Sequence, residues 1–491
     1  MVIEMKHGKI GERLLLAVAI LVLAAVVITI APQIGNQQPE QTDNTKKETI
    51  RLWYTDDTLT DYLSSKVLEF YNQTDIRVET RLVSGLEYLE AINSASLNEE
   101  EQMPDVYIIG NDSLEKAYLS GLAVELDESV PIYDPSAYNQ AAKNAVTYDK
   151  KYVGCPFYFE TSALLYNKTY LEQIAEASNG ETAEEGGAEG QDETEQEAVT
   201  AQELIPTSIA DILNFADQYS APENVEYFFR WDVSDIFYNY FFIGNYISVG
   251  GDAGDDKNDI NIYNTESIST LKVYQELNQF FSIDTKETNY DTIIQEFLEG
   301  KTIYTIATSD CIKKLDDAAK NGEFPYEYGI AQLPDINIEL STRGMSVTNA
   351  LAINGYSTHK ASSALLIRFL ANESAEDLYE MTGKISAMTK QEYDDPHVEG
   401  FVQNYADSVP IPKMLETSNF WVGLEICFAR VWSGEDANTQ IRALSEQIKT
   451  QLNGVAVTEE VLEDPQVELL PAVEYEDVPI EEEEDLSQAT Q

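Results

Sequence analysis

The side chains best equipped to meet a polar ligand are carboxylates set among rings. In YVGCPFYFETSALLYNKTYL (152–171), Glu160 is the one carboxylate among aromatic and aliphatic neighbours. A charge there is costly unless something polar comes to meet it. Two further acidic turns are TDD (55–57), with Asp56 and Asp57, and GND (110–112), with Asp112. Carboxylates so placed are hydrogen-bond acceptors for a solute. Two of them facing a scissile bond would also suit glycoside hydrolysis, and Asp112 with Glu160 is the pair to consider. Metal and nucleophile chemistry finds no comparable cluster. His7, His359 and His397 are isolated, and Cys155, Cys311 and Cys427 lie far apart in apolar contexts that suit buried free thiols. The loop GGDAGDDKNDI (250–260) concentrates aspartates without the spacing of an EF-hand and reads as an acidic turn. No cofactor and no metal are expected.

Alternating strands and helices must position these turns. IRLWY (50–54) is a short apolar β run, and the helix after it brings Leu59, Tyr62, Leu63, Val67 and Phe70 onto one face, with Asp57 or Thr58 as its cap. RVETRLV (77–83), a helix near 86–97, DVYIIG (105–110) and a helix ending at Gly121 continue the pattern. This βαβαβα order predicts an open, largely parallel sheet with helices on both faces. Ligands of such sheets sit beyond the carboxyl ends of the strands, where the TDD and GND turns fall.

A chain of 491 residues exceeds what one core usually organises, so two lobes with a cleft between them are expected. The formal charge of −56 and the absence of a basic stripe argue against nucleic acid and anionic lipid surfaces, and favour a neutral or cationic ligand. Residues 175–203 hold ten acids and no base, and residues 455–491 thirteen acids and no base, so both segments read as solvated, disordered chain. Near the start, residues 14–31 form an apolar run without a charge behind Lys6, Lys9 and Arg13. Such a run suits a transmembrane anchor or a signal segment, with the remainder exported. Pro32 would obstruct cleavage, which favours an uncleaved anchor on the extracellular face of the cell membrane.

Eight segments in order carry a resemblance: IRLWYTDD, EFYNQTDIRVE, PDVYIIGND, GLAVELDE, YVGCPFYFETSALLYNK, IIQEFLEGKTIYTIATSD, YGIAQLPDI and NFWVGLEICFARVWSGEDA. Over residues 48–453 the chain resembles the extracellular solute-binding proteins of ABC importers, in particular their oligosaccharide (maltose-type) branch. The resemblance implies a two-lobed α/β, periplasmic-binding-protein-like fold, joined by two or three crossovers and closing on ligand like a hinged clamp. The expected organisation is a cytoplasmic N-terminus (1–13), anchor or signal (14–31), linker (32–47), lobe 1 (48–158 and 347–395), lobe 2 (159–346 and 396–454) and acidic tail (455–491). The first crossover should fall at 157–161, placing Glu160 on the cleft floor.

By the same resemblance the ligand is a sugar or oligosaccharide. Hydroxyls seek planar carboxylates and apolar sugar faces seek rings, so Asp56, Asp57, Asp112, Tyr158, Glu160, Trp231, Tyr238 and Trp421 are the candidate contacts. Trp421 stands where the family places a cleft aromatic. Trp231 and Tyr238 lie in FFRWDVSDIFYNYFF, a segment so aromatic that core packing competes with a cleft role. Where the family commonly places an aromatic after KTIYTIATSD, this chain has Asp310, so a stacking platform is missing or replaced. Arg343, in STRGMS near a later crossover, is a candidate ligand or lobe-closing group. The implied partners are a small-molecule solute and the transmembrane permease subunits, with a monomeric binding protein. A membrane-anchored sensor signalling to a partner membrane protein is the alternative, and a glycosidase a remote one.

Overall fold

The computed structural model describes residues 47–83, 87–98, 101–134, 136–185, 198–389 and 391–467. The strand Thr49–Tyr54 pairs in parallel with Arg77–Leu82 and with Val106–Gly110. Between the first two runs the helix Thr60–Thr74, which buries Tyr62, Leu63 and Phe70, ends at Asp75 in the left-handed region. Its entry differs from expectation. Asp56, rather than Asp57 or Thr58, caps the short turn Asp57–Leu59 by accepting from the Thr58 amide.

Parallel pairing stops at the third strand. Val106–Gly110 lies antiparallel to Met345–Ile353, which lies antiparallel to the thirteen-residue strand Cys155–Asn167. The far half of that long strand pairs antiparallel with Thr302–Thr308 and with Tyr328–Ala331, and Tyr227–Phe229 extends the edge in parallel. The sheet is therefore mixed rather than largely parallel. A chain that leaves one lobe along Cys155–Asn167 and returns along Met345–Ile353 must run back beside its own outgoing strand.

Two separate clusters of buried apolar residues form the cores of the two lobes. Three chain segments meet side by side between them: Ser346 pairs with Thr161 and also with Pro410 of Val409–Pro410. Asn111, fully buried, stitches this junction. Its amide nitrogen donates to the Ile411 carbonyl at 2.9 Å, and its oxygen accepts from the Thr348 amide at 2.9 Å. The last crossing lies at 409–410 and not at the expected 395–396 boundary. Val398, Phe401 and Tyr405 of the helix Pro396–Asp407 belong to the first core, where Tyr405 stacks on Phe159 at 3.8 Å.

Composition misjudged the borders of both acidic segments. The helix Lys168–Glu185 enters the insert, and Asn179 holds Val199 through two hydrogen bonds, so only 186–197 fall outside the described residues. In the tail, Glu459 accepts from Ser445 and Lys449, Asp464 meets Lys272 and Asn438, and Leu462 and Val467 pack against the second core. These acids find partners among the few cations of the lobe, and the apolar residues between them supply burial. The apolar run 14–31 and the tail beyond 467 lie outside the described residues. Among the described residues no helix is long and apolar enough to cross a membrane. The three cysteines are buried free thiols.

Candidate functional site

A cavity of about 1120 Å³ opens between the two lobes. One side carries Asp57, Thr60 and Asp61 from the first strand-to-helix turn, and Met381, Thr382 and Lys384 from a later helix end. The facing side carries four rings, Phe237, Tyr238, Tyr290 and Trp421. Glu160, on the long crossing strand, lies between them, with Met345 and Ile411 from the other two crossings nearby.

The partner that Glu160 requires is Lys384, whose ammonium lies 3.0 Å from Glu160 Oε1 and 2.9 Å from Asp56 Oδ2. The helix Ala375–Thr382 ends at Gly383 with φ +75°, a conformation that glycine adopts without strain. The next residues, Ile385 and Ser386, pair with Phe159 and Tyr158, and this antiparallel register sets Lys384 opposite Glu160. Burial opposes the lysine charge, but Glu160 and Asp56 outweigh it and hold Lys384 above its ordinary pKa. Burial likewise opposes ionisation of Asp56, and the Thr58 and Lys384 hydrogen bonds outweigh it and lower that pKa. Tyr158 is buried beneath this trio, with its ring 5.3 Å from the Lys384 ammonium, and does not line the cavity.

On the opposite wall Tyr238 and Tyr290 stack at 4.8 Å with 12° between planes. Asp310 is committed to this wall: Oδ1 accepts from the Tyr290 hydroxyl at 2.9 Å, and Oδ2 meets Lys314 at 2.8 Å. Tyr290, the first residue of the helix Tyr290–Leu298, thus lies between Tyr238 and Lys314, whose ammonium is 5.3 Å from its ring centre, and Phe237 packs edge-on against Tyr238 at 5.6 Å. Trp421, at the start of the helix Phe420–Trp432, lines the cavity and leans on Tyr240 at 5.5 Å. Asp235 is also on this wall, and burial lifts its carboxyl above the usual range.

Three expected contacts lie elsewhere. Trp231 is fully buried in the second core, stacked on Phe229 at 4.6 Å, with its indole N–H donating to Asn239 Oδ1. The aromatic run that made it a candidate is consumed by that core. Arg343 donates from Nε to the Asp407 carbonyl at 2.7 Å and so anchors the chain before the last crossing, away from the cavity. Asp112 sits on the turn Asn111–Ser113 outside the cavity lining, so the Asp112–Glu160 pair that hydrolysis would need is not assembled there. The 250–260 loop gathers no metal-binding group, and among the described residues no cluster of three metal-ligating side chains occurs. Its Asp255 instead accepts from the Asp149 amide at 2.8 Å.

Sequence reading missed Lys384, Tyr290, Phe237 and Asn111. A glycine closing a helix in MTGKIS marks the turn that launches Lys384. No local signal ties that lysine to a carboxylate 224 residues away.

Two α/β lobes hinged by three crossings around an open, ring-walled and charge-floored cavity define a protein built to enclose a small molecule. The model of the family described as bacterial extracellular solute-binding protein matches residues 67–405, and the chain belongs to this family. Among curated proteins, sequence comparison finds no match. The fold is similar to that of an extracellular solute-binding protein from Staphylococcus aureus solved with maltose (TM-score 0.66, 17% identity, covering 83% of this chain and 98% of that one). It is also similar to a cyclo/maltodextrin-binding protein complexed with maltotetraose (TM-score 0.64, 20% identity, 83% and 97%). A third similar structure is a maltose-binding periplasmic protein from Listeria monocytogenes in complex with maltose (TM-score 0.64, 19% identity, 84% and 100%). At these identities the likeness concerns the fold.

Proposed function

We propose that the chain captures a sugar or short oligosaccharide in the interlobe cavity and hands it to the transmembrane subunits of an ABC importer, acting as a monomer held at the extracellular face by its apolar N-terminal run. The observation that carries this reading is the split lining. Phe237, Tyr238 and Trp421 bring rings to the wall for the C–H faces of a sugar, with Tyr290 stacked behind Tyr238, and Glu160, Lys384 and Asp57 offer acceptors and donors to its hydroxyls. A volume of about 1120 Å³ accommodates more than one sugar ring. The maltose and maltotetraose bound by the similar structures support the same ligand class. The role proposed is binding rather than catalysis: the family is one of binding proteins, and Glu160 is committed to an ion pair with Lys384.

A thermal-shift screen of the purified protein against mono- and oligosaccharides, amino acids and polyamines tests this. A saccharide at 100 times its dissociation constant should stabilise by about 2.7 kcal/mol. Stabilisation by an amino acid or polyamine, with none by any saccharide, would overturn the reading.

A further inference from the structure

The floor of the cavity holds a cation before any ligand arrives. The Lys384 ammonium touches Asp56 Oδ2 at 2.9 Å and Glu160 Oε1 at 3.0 Å, and stands 5.3 Å from the Tyr158 ring centre. Two carboxylates and an aromatic face around one site form the environment in which an external amine would be held. Here the chain supplies that amine itself. The lysine is fixed from both sides: its backbone amide donates to Thr382 Oγ1 at 3.0 Å, and the following residues pair with Phe159 and Tyr158.

Resting on the saccharide reading above, we propose that Lys384 is the specificity-determining residue of the cavity, filling the cation position between Asp56 and Glu160 so that the site selects uncharged, hydroxyl-bearing rings over amine-bearing ones. An ammonium has three N–H donors, and two are engaged by these carboxylates. Lys384 and the half-exposed Glu160 both line the cavity, so the floor sets a donor group and an acceptor next to each other. That pair matches two neighbouring hydroxyls, one accepting and one donating. An amine arriving at the same place meets a charge of its own sign and must displace a lysine that both carboxylates already hold. Specificity here comes from a repulsive element as much as from attraction.

The test is calorimetric titration of the full chain and its Lys384→Gln and Lys384→Arg variants with maltotriose and with the fully deacetylated glucosamine trimer, at mildly acid pH where the amines of the latter are charged. Thermal unfolding of each variant verifies that it is folded. Wild type should prefer maltotriose. Lys384→Gln exposes two uncompensated carboxylates, so it should weaken maltotriose and strengthen the glucosamine trimer, moving the ratio of the two affinities by at least tenfold. Lys384→Arg keeps the charge and should keep the wild-type preference. A ratio unchanged in a folded Lys384→Gln protein, or a wild type that prefers the amine, overturns the proposal while leaving saccharide binding intact. A wild type that binds neither trimer overturns this proposal, and the saccharide reading falls with it where the wider screen above also finds no saccharide.

Discussion

Two lysines sit close to the junction of the lobes, one at the front and one behind, and their surroundings give them opposite character. Lys384, on the cavity floor, is met by two carboxylates and is held above the ordinary lysine pKa. Lys413 follows the third crossing and is almost wholly buried, with its ammonium donating to the carbonyls of Asn144, at 3.1 Å, and Ala253. Burial pushes it down to about 8, against the weaker pull of Asp255 and Glu115. The same side chain is thus a firm cation where two carboxylates touch it, and a reluctant one where carbonyls are its direct partners and the carboxylates stand off. At the front, charge is kept available to a solute. At the rear, the lysine ties the helix Gln140–Val146 to the 250–260 loop, beside the bond from the Leu415 amide to Glu115 Oε2.

The largest expected consequence is a stability profile in pH. Lys413 has a folded pKa below its unfolded value, so between about pH 8 and 10.5 the unfolded chain holds a proton that the folded chain has released. Stability contributed by this group therefore rises across that window, by up to ~3 kcal/mol. Lys384 behaves in the opposite sense, its contribution being complete below the ordinary lysine range and lost only above it. Denaturant unfolding of wild type and Lys413→Met from pH 7.5 to about 10.5 measures the difference. Wild type should gain on the variant as pH rises, and a constant gap would dissolve the contrast between the two lysines.

Asn111 ties the turn after Val106–Gly110 to the second and third crossings without any charge. Asn111→Ala leaves the Thr348 amide and the Ile411 carbonyl without their partner, and should cost about 2 kcal/mol of ligand-free stability. An effect below about 0.5 kcal/mol would mean that the crossings are held by strand pairing alone. The smallest effect belongs to the floor. Lys384→Met should lower ligand-free stability by about 1 kcal/mol at neutral pH, because Asp56 and Glu160 remain partly open to water, with side-chain exposures of 22% and 40%. A loss of several kcal/mol would make Lys384 a structural tie rather than a ligand-facing group.

Much of the first lobe was legible because its signals are local. Apolar runs, helix faces and the turns between them placed Thr49–Tyr54, Thr60–Thr74 and Val106–Gly110, and the isolation of Glu160 among rings showed that it needs a polar partner, expected from the solute and supplied instead by Lys384. The identity of that partner was not legible, since it depends on the register of a two-residue strand far along the chain. Trp231 and Tyr238 share one aromatic stretch, yet a short turn sends one into the core and the other to the cavity wall, a division that composition cannot express. The tail shows the same limit. Its acid content resembles that of unfolded chain, while Glu459 and Asp464 find their cations only once the lobe has assembled them.

The central claim is that a saccharide binds against the ring wall between the lobes. Titration calorimetry of maltotriose into wild type and Trp421→Ala, run beside unfolding of both ligand-free proteins, tests it most directly. Trp421 lines the cavity at a helix start, so its loss should weaken binding by about ten- to a hundredfold while ligand-free stability changes little. Unchanged affinity for a saccharide that wild type binds, or a loss of about 3 to 5 kcal/mol in folding stability with no separate effect on binding, would remove Trp421 from the site and contradict the account.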